Sequence, residues 1–76
     1  MEASLQDIKD LFNKIGRDDI NENSDNLVDD DIIDSVDMMK LMLEIEKILG
    51  KPLDSKYILP ENFKNFNTIK TMLASI

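Results

Sequence analysis

Apolar residues return at helical spacing in three stretches of the chain. Leu5, Ile8, Leu11, Phe12 and Ile15 share one face at about 100° per residue, which predicts an amphipathic helix over 4–15. Ser4 suits its N-cap and Gly16 its stop. From Arg17 to Asp34 no period persists. Loops this long in a small domain are usually functional or mobile. Ile20, Leu27, Val28, Ile32 and Ile33 are expected to anchor this one to the core, with one helical turn around 26–29. A second helix is predicted over Ser35–Leu49, closed by Gly50 and kept from continuing by Pro52. The stretch KPLDSKYILPENFKNF mixes apolar anchors with turn residues and holds one short helical piece. A last helix follows Asn67 as N-cap, with Ile69, Met72, Leu73 and Ile76 on one face and Phe66 extending it. Nothing alternates with period two, so no sheet is expected. The expected fold is all-α: a small four-helix bundle of three main helices, one short helix and a long first loop, forming a single domain over 1–76.

The second helix carries more apolar surface than one core face requires. On a wheel that starts at Val36, the residues Leu41, Ile48, Ile45, Met38, Leu49 and Met42 fall between about 120° and 240°. That arc alone makes an adequate core face. Val36, Met39 and Leu43 form a second stripe between about 300° and 360°. Lys40, Lys47, Glu44 and Asp37 fill the rest. A surface helix of so small a domain cannot easily bury both arcs. Either the stripe is an exposed docking ridge, or the long loop folds over it; the spacing supports both.

Charge sharpens this picture through its placement. The chain has 76 residues and a net charge of −7. Residues 18–37 hold nine acids (Asp18, Asp19, Glu22, Asp25, Asp29, Asp30, Asp31, Asp34, Asp37) and no base. Such a field repels nucleic acid and anionic lipid and steers basic protein surfaces toward the segment. The plainer reading is a solvated loop that keeps a small protein soluble. Cysteine and histidine are both absent, which removes disulfides, thiolate metal sites and the usual general base. No apolar run approaches the roughly 20 residues that cross a bilayer, and MEASLQDIKD is acidic rather than a basic-headed signal. A cytoplasmic, monomeric protein without stable membrane insertion is expected.

Ser35 opens the second helix directly behind the acids, and three roles suit it. A serine at a helix start is most often an N-cap, although Met38, three residues on, supplies no capping box. A nucleophile would need a base; there is no histidine and no G-x-S-x-G elbow, and Lys40 lies five residues along the helix. A modification site suits the positive end of the helix dipole, with the aspartates able to hold the divalent ion of a modifying enzyme.

Asp34 to Asp37, D-S-V-D, closely resembles the D-S-L-[DE] signature of acyl carrier proteins. The resemblance extends over nearly the whole chain: a first helix, a long acidic loop, the serine, a helix ending near Gly50, and a short region before a final N-T-I helix. It implies an acyl-carrier-like bundle with no catalytic residues of its own. By the same resemblance Ser35 is the covalent attachment site of phosphopantetheine, and Asp34 assists the modification. A separate phosphopantetheinyl transferase would move the group from coenzyme A, with magnesium needed by that enzyme only. The arm would hold acyl intermediates as thioesters for fatty-acid or related acyl biosynthesis, and the absent cysteine would be made good by its thiol. Val36, Met39 and Leu43 fall where the family places apolar partner contacts, and Asp37 and Glu46 where it places acidic ones, so the implied partners are loading and processing enzymes with basic docking patches. The sequence departs from the pattern at Val36, where leucine is usual, and at Lys40 and Lys47, where acids are frequent. The stretch KYILPENFKNFN is longer than in fatty-acid carriers and looks more like specialised carriers, including those for amino acids such as D-alanine. Members that carry long acyl chains shelter them between helices; Met38, Leu41, Met42, Ile45 and Met72 form either such a deformable slot or an ordinary core.

Two rival readings remain. Asp19, Asn21, Asn23 and Asp25 imitate alternate ligands of a calcium loop, with Asp30 at its twelfth position. Ser24 stands where the loop needs glycine, and the bidentate glutamate is missing. An acidic interaction module, binding a basic protein without any arm, is the other.

Overall fold

The computed structural model describes all 76 residues. Three α-helices carry the architecture: α1 (Leu5–Lys14), α2 (Ser35–Leu49) and α3 (Phe66–Ala74). Two single turns of 3₁₀ helix, Ser55–Tyr57 and Pro60–Phe63, lie between α2 and α3, and there is no strand. α1 packs against both α2 and α3, and the second 3₁₀ turn packs against α3. No helix is long and apolar enough to cross a membrane.

The helix ends follow from local chemistry. Ser4 caps α1 by accepting the Asp7 N–H at 3.1 Å, while Asp7 accepts the Ser4 N–H at 2.9 Å. Gly50 ends α2 in the left-handed region at φ +71°, where a side chain would be strained. The expected short helix is instead two separate turns. Leu59, just before Pro60, is extended at φ −119°, ψ 138°, because the proline ring disfavours helical geometry in the residue ahead of it.

α3 begins one residue before the expected Asn67 cap. Its N-cap is Asn65, which accepts the Thr68 N–H at 2.9 Å. Both asparagines suit a cap, and packing decides between them. Phe66, 1% exposed, lies in the first turn and stacks on Phe12 with ring centroids 5.3 Å apart.

The core is wholly apolar, with no buried polar or charged residue. Leu41 and Ile45 bury the centre of the expected face of α2, and Met38, Met42 and Leu49 are half-buried. Ile48, expected in the same face, is instead 52% exposed. It sits at the edge of the apolar arc and in the last full turn, where it borders an open groove beside α1.

The long loop is fastened from within. Ile20, Leu27 and Ile33 are buried, and Val28 and Ile32 are half-buried against them. Leu27 N–H donates to Lys64 O at 2.9 Å, and Lys9 Nζ donates to the carbonyls of Asp18 and Ile20 at 2.6 and 2.7 Å. The helical turn expected around 26–29 is present as one isolated turn, in which the Asp30 N–H donates to Asn26 O at 2.8 Å. Asn26 and Asp31 bracket it with φ of +52° and +55°, values that a continuing right-handed helix excludes.

Candidate functional site

The start of α2 is built on Asp34. Its Oδ1 accepts the Asp37 N–H at 2.9 Å, and Asp37 Oδ2 accepts the Asp34 N–H at 3.3 Å. This is a capping box displaced one residue from the one sought at Ser35. The N-cap role, one of the three weighed for Ser35, therefore belongs to Asp34, whose carboxylate at a helix start also meets the positive dipole end. Accepting the Asp37 N–H holds the Asp34 carboxyl below the ordinary aspartate range.

Relieved of capping, Ser35 occupies the first position inside the helix and is exposed. Its hydroxyl takes part in neither half of the cap. The oxygen thus faces solvent at the helix's positive end with its bonding capacity unspent.

Arg17, which sequence reasoning does not single out, ties the approach to this serine. Its guanidinium donates to Asp37 Oδ2 at 2.8 Å, to Ile32 O at 2.7 Å and to Asp19 Oδ1 at 3.1 Å. One side chain thereby joins the beginning of the loop, its end and the first turn of α2. Its guanidinium also pulls the Asp19 carboxyl below the usual range. The one signal in the sequence is its position as the last base before the acidic run.

The apolar stripe of α2 is open. Val36 is 54% exposed, Met39 60% and Leu43 57%. The loop does not cover them, because its own apolar residues turn into the core between the helices. The stripe begins one residue after Ser35 and follows one side of the helix for two turns.

The two acids expected beside the stripe have partners inside the protein. The Asp37 side chain is only 15% exposed and bonds both Arg17 and the helix cap. Glu46, half-buried, accepts the Leu53 N–H at 2.7 Å and pins the chain that leaves α2. In the chain ahead of the serine, Asp29, Asp30 and Asp31 are exposed and unpaired, and Asp34 is exposed while accepting the cap bond.

The calcium-loop pattern does not converge. No group of three or more carboxylates is gathered anywhere in the fold. Asn21 Oδ1 accepts the Asn23 N–H at 2.8 Å, Ser24 Oγ accepts the Asn21 N–H at 3.1 Å, and Asp25 accepts from Asn65 Nδ2 at 2.9 Å. The would-be ligands are spent on turns and on a tether to α3. That tether, first among its causes, lowers the Asp25 carboxyl.

Of the five residues weighed as an acyl slot, Leu41, Ile45 and Met72 are buried and Met38 and Met42 half-buried. The main surface grooves are lined by none of them. Compared with protein-family models, curated proteins and solved structures, the chain gives no match.

Proposed function

We propose that the chain is a carrier protein of the acyl-carrier kind, with phosphopantetheine attached to Ser35. The observation that supports this best is the exposed, unengaged Ser35 hydroxyl at the start of a helix whose next apolar residues are also exposed. A structural serine has no use for an open ridge beside it. A modified serine does, because the enzymes that charge and unload the arm must dock within its reach.

The residues present suit such a group. Attachment forms a bond from Ser35 Oγ to the phosphorus of phosphopantetheine, breaks the pyrophosphate link of coenzyme A and releases adenosine bisphosphate; the hydroxyl proton leaves to a base of the transferase. Asp34, held ionised by its cap bond, stands next to the serine, where the transferase's magnesium would find a carboxylate. Arg17 and the capping box tie down the first turn of α2, so the backbone that carries Ser35 is held in place. The bound arm supplies a terminal thiol for thioester cargo. This chain supplies no catalytic group: it positions the arm and offers Val36, Met39 and Leu43 to partners. In this reading the three helices and the paired 3₁₀ turns are a four-helix carrier bundle.

The cargo is an acyl group of fatty-acid or related biosynthesis, or an amino acid in a specialised pathway. Lys40 and Lys47 on α2, both exposed, favour the specialised member, since they oppose docking to a uniformly basic patch. The test is direct. The chain is incubated with coenzyme A, magnesium and a transferase of broad specificity, and its intact mass is measured. One added phosphopantetheine on wild type and none on Ser35→Ala is expected. An unchanged wild-type mass, with a control carrier modified in the same tube, would leave an acidic interaction module as the better reading.

A further inference from the structure

The ridge of α2 does not carry one sign of charge along its length. Asp34 caps its serine end, and Asp29, Asp30 and Asp31 precede it in the chain; all four are exposed and outside every ion pair of the fold. At the far end Leu43 borders an open groove of about 560 Å³ between the end of α1 and α2, together with Ile15, Lys14, Lys40 and Lys47. Glu44 and Glu46 also border it, and each is already engaged. Glu44 pairs with Lys47 at 3.1 Å, and Glu46 holds the Leu53 N–H. Lys14 and Lys40 are exposed and belong to no ion pair. Three lysines against two glutamates leave the groove with a net positive charge, and Lys14 and Lys40 stand unpaired beside an apolar residue of the ridge.

The helical rise sets Lys40 roughly 9 Å along the axis from Asp34. Charges farther apart than about 8 Å are largely screened from one another at physiological salt. A docking protein therefore meets two poles rather than one averaged field. A uniformly basic surface would be attracted at the serine end and repelled by Lys14 and Lys40.

The geometry points to a partner protein of matching polarity: an apolar cleft for Val36, Met39 and Leu43, cationic groups opposite Asp30 to Asp34, and carboxylates that enter the groove between Lys14 and Lys40. Lys14 belongs to α1, so the partner reads two helices at once and its direction along α2 is fixed. Naming that partner as an enzyme acting on the Ser35 arm rests on the carrier reading; the polarity of the surface does not.

Three amphipathic helical peptides of equal length and identical leucine positions test this. One is basic throughout, one acidic throughout, and one basic in one half and acidic in the other. Each is titrated into the full isotope-labelled chain at about 0.15 M salt, where the two poles are screened from one another, with amide shifts at Val36, Met39 and Leu43 as the readout. The mixed peptide is expected to bind about threefold or more tighter than the basic one, the scale of one or two exposed charge pairs. Lys14→Glu/Lys40→Glu should reverse that order. Lys56→Glu/Lys70→Glu, with the same change in net charge at residues that border neither this groove nor Asp29, should preserve it. A basic peptide that binds as well as the mixed one to the wild type, or an equal effect of the two double variants, overturns the proposal. The mass assay on wild type is read separately: modification without the mixed-peptide preference sinks the polarity alone, and the preference without modification sinks the carrier reading alone.

Discussion

Asp34 carries the largest local responsibility of any side chain near the candidate site, and its protonation state can be followed. Its carboxylate accepts the Asp37 N–H, which draws its folded pKa below the ordinary value, about 3.9 for aspartate. A depressed carboxyl adds stability that is fully present above the ordinary value and is lost as pH falls through the folded one. An asparagine in its place would keep a capping oxygen without the titration. Wild type and Asp34→Asn should therefore differ in melting temperature by a constant amount from neutral pH down to about 5, and the gap should close below about 4. A gap that does not narrow on acidification would mean that the charge of Asp34 adds nothing to the cap. The residue scale is also where the sequence is hardest to read. D-S-V-D offers two capping residues in a row, and serine and aspartate cap about equally well. What separates them is Asp37, whose side chain returns the bond, and a capping box built from two aspartates is not the S/T-x-x-E/Q pattern that a sequence search expects.

At the scale of the element, α2 is legible in its limits and in its two stripes because both depend on local spacing. Gly50 and Pro52 fix its end whatever surrounds it. Which stripe is buried depends on where the loop goes, and that is a question of tertiary packing that spacing does not answer. Ile48 shows the same limit: it belongs to the inner arc by angle and lies outside the core because an open groove separates it from α1 on that side. The start of α3 is displaced because the stacking of Phe66 on Phe12 is a contact across 54 residues of chain. The division of α2 into two faces has a measurable consequence. Leu41, 1% exposed, should cost about 2–5 kcal/mol when replaced by alanine. Met39→Gln and Leu43→Gln should change unfolding free energy by no more than about 0.5 kcal/mol, as substitutions at exposed positions do. Chemical denaturation measures both. A loss of several kcal/mol at Leu43 would show that the stripe is covered in solution and unavailable for docking.

On the scale of the whole molecule, the fold separates apolar interior from charge completely, and so all of the electrostatic cost lies at the surface. Sixteen acids face nine bases, and only three ion pairs form, two of them on Arg17. The molecule measures 29 × 22 × 20 Å. At about 0.01 M ionic strength the Debye length is about 30 Å, so every charge acts on every other; at about 0.1 M it is about 10 Å, and only neighbours interact. Screening therefore removes long-range repulsion among the acids while sparing most of the short Arg17 contacts. Relief of about 1 kcal/mol would raise the melting temperature by about 4–8 °C in a domain of this size. Sodium chloride and magnesium chloride should both produce the rise, and magnesium should do so without a sharp saturable step, because no set of carboxylates converges on one point. Asp29→Asn/Asp30→Asn/Asp31→Asn should melt higher than wild type at low salt and respond less to added salt. A wild-type melting temperature that stays level or falls with ionic strength would mean that the Arg17 network outweighs the repulsion, and that the acidic loop is held more by its ion pairs than by Ile20, Leu27 and Ile33 beneath it.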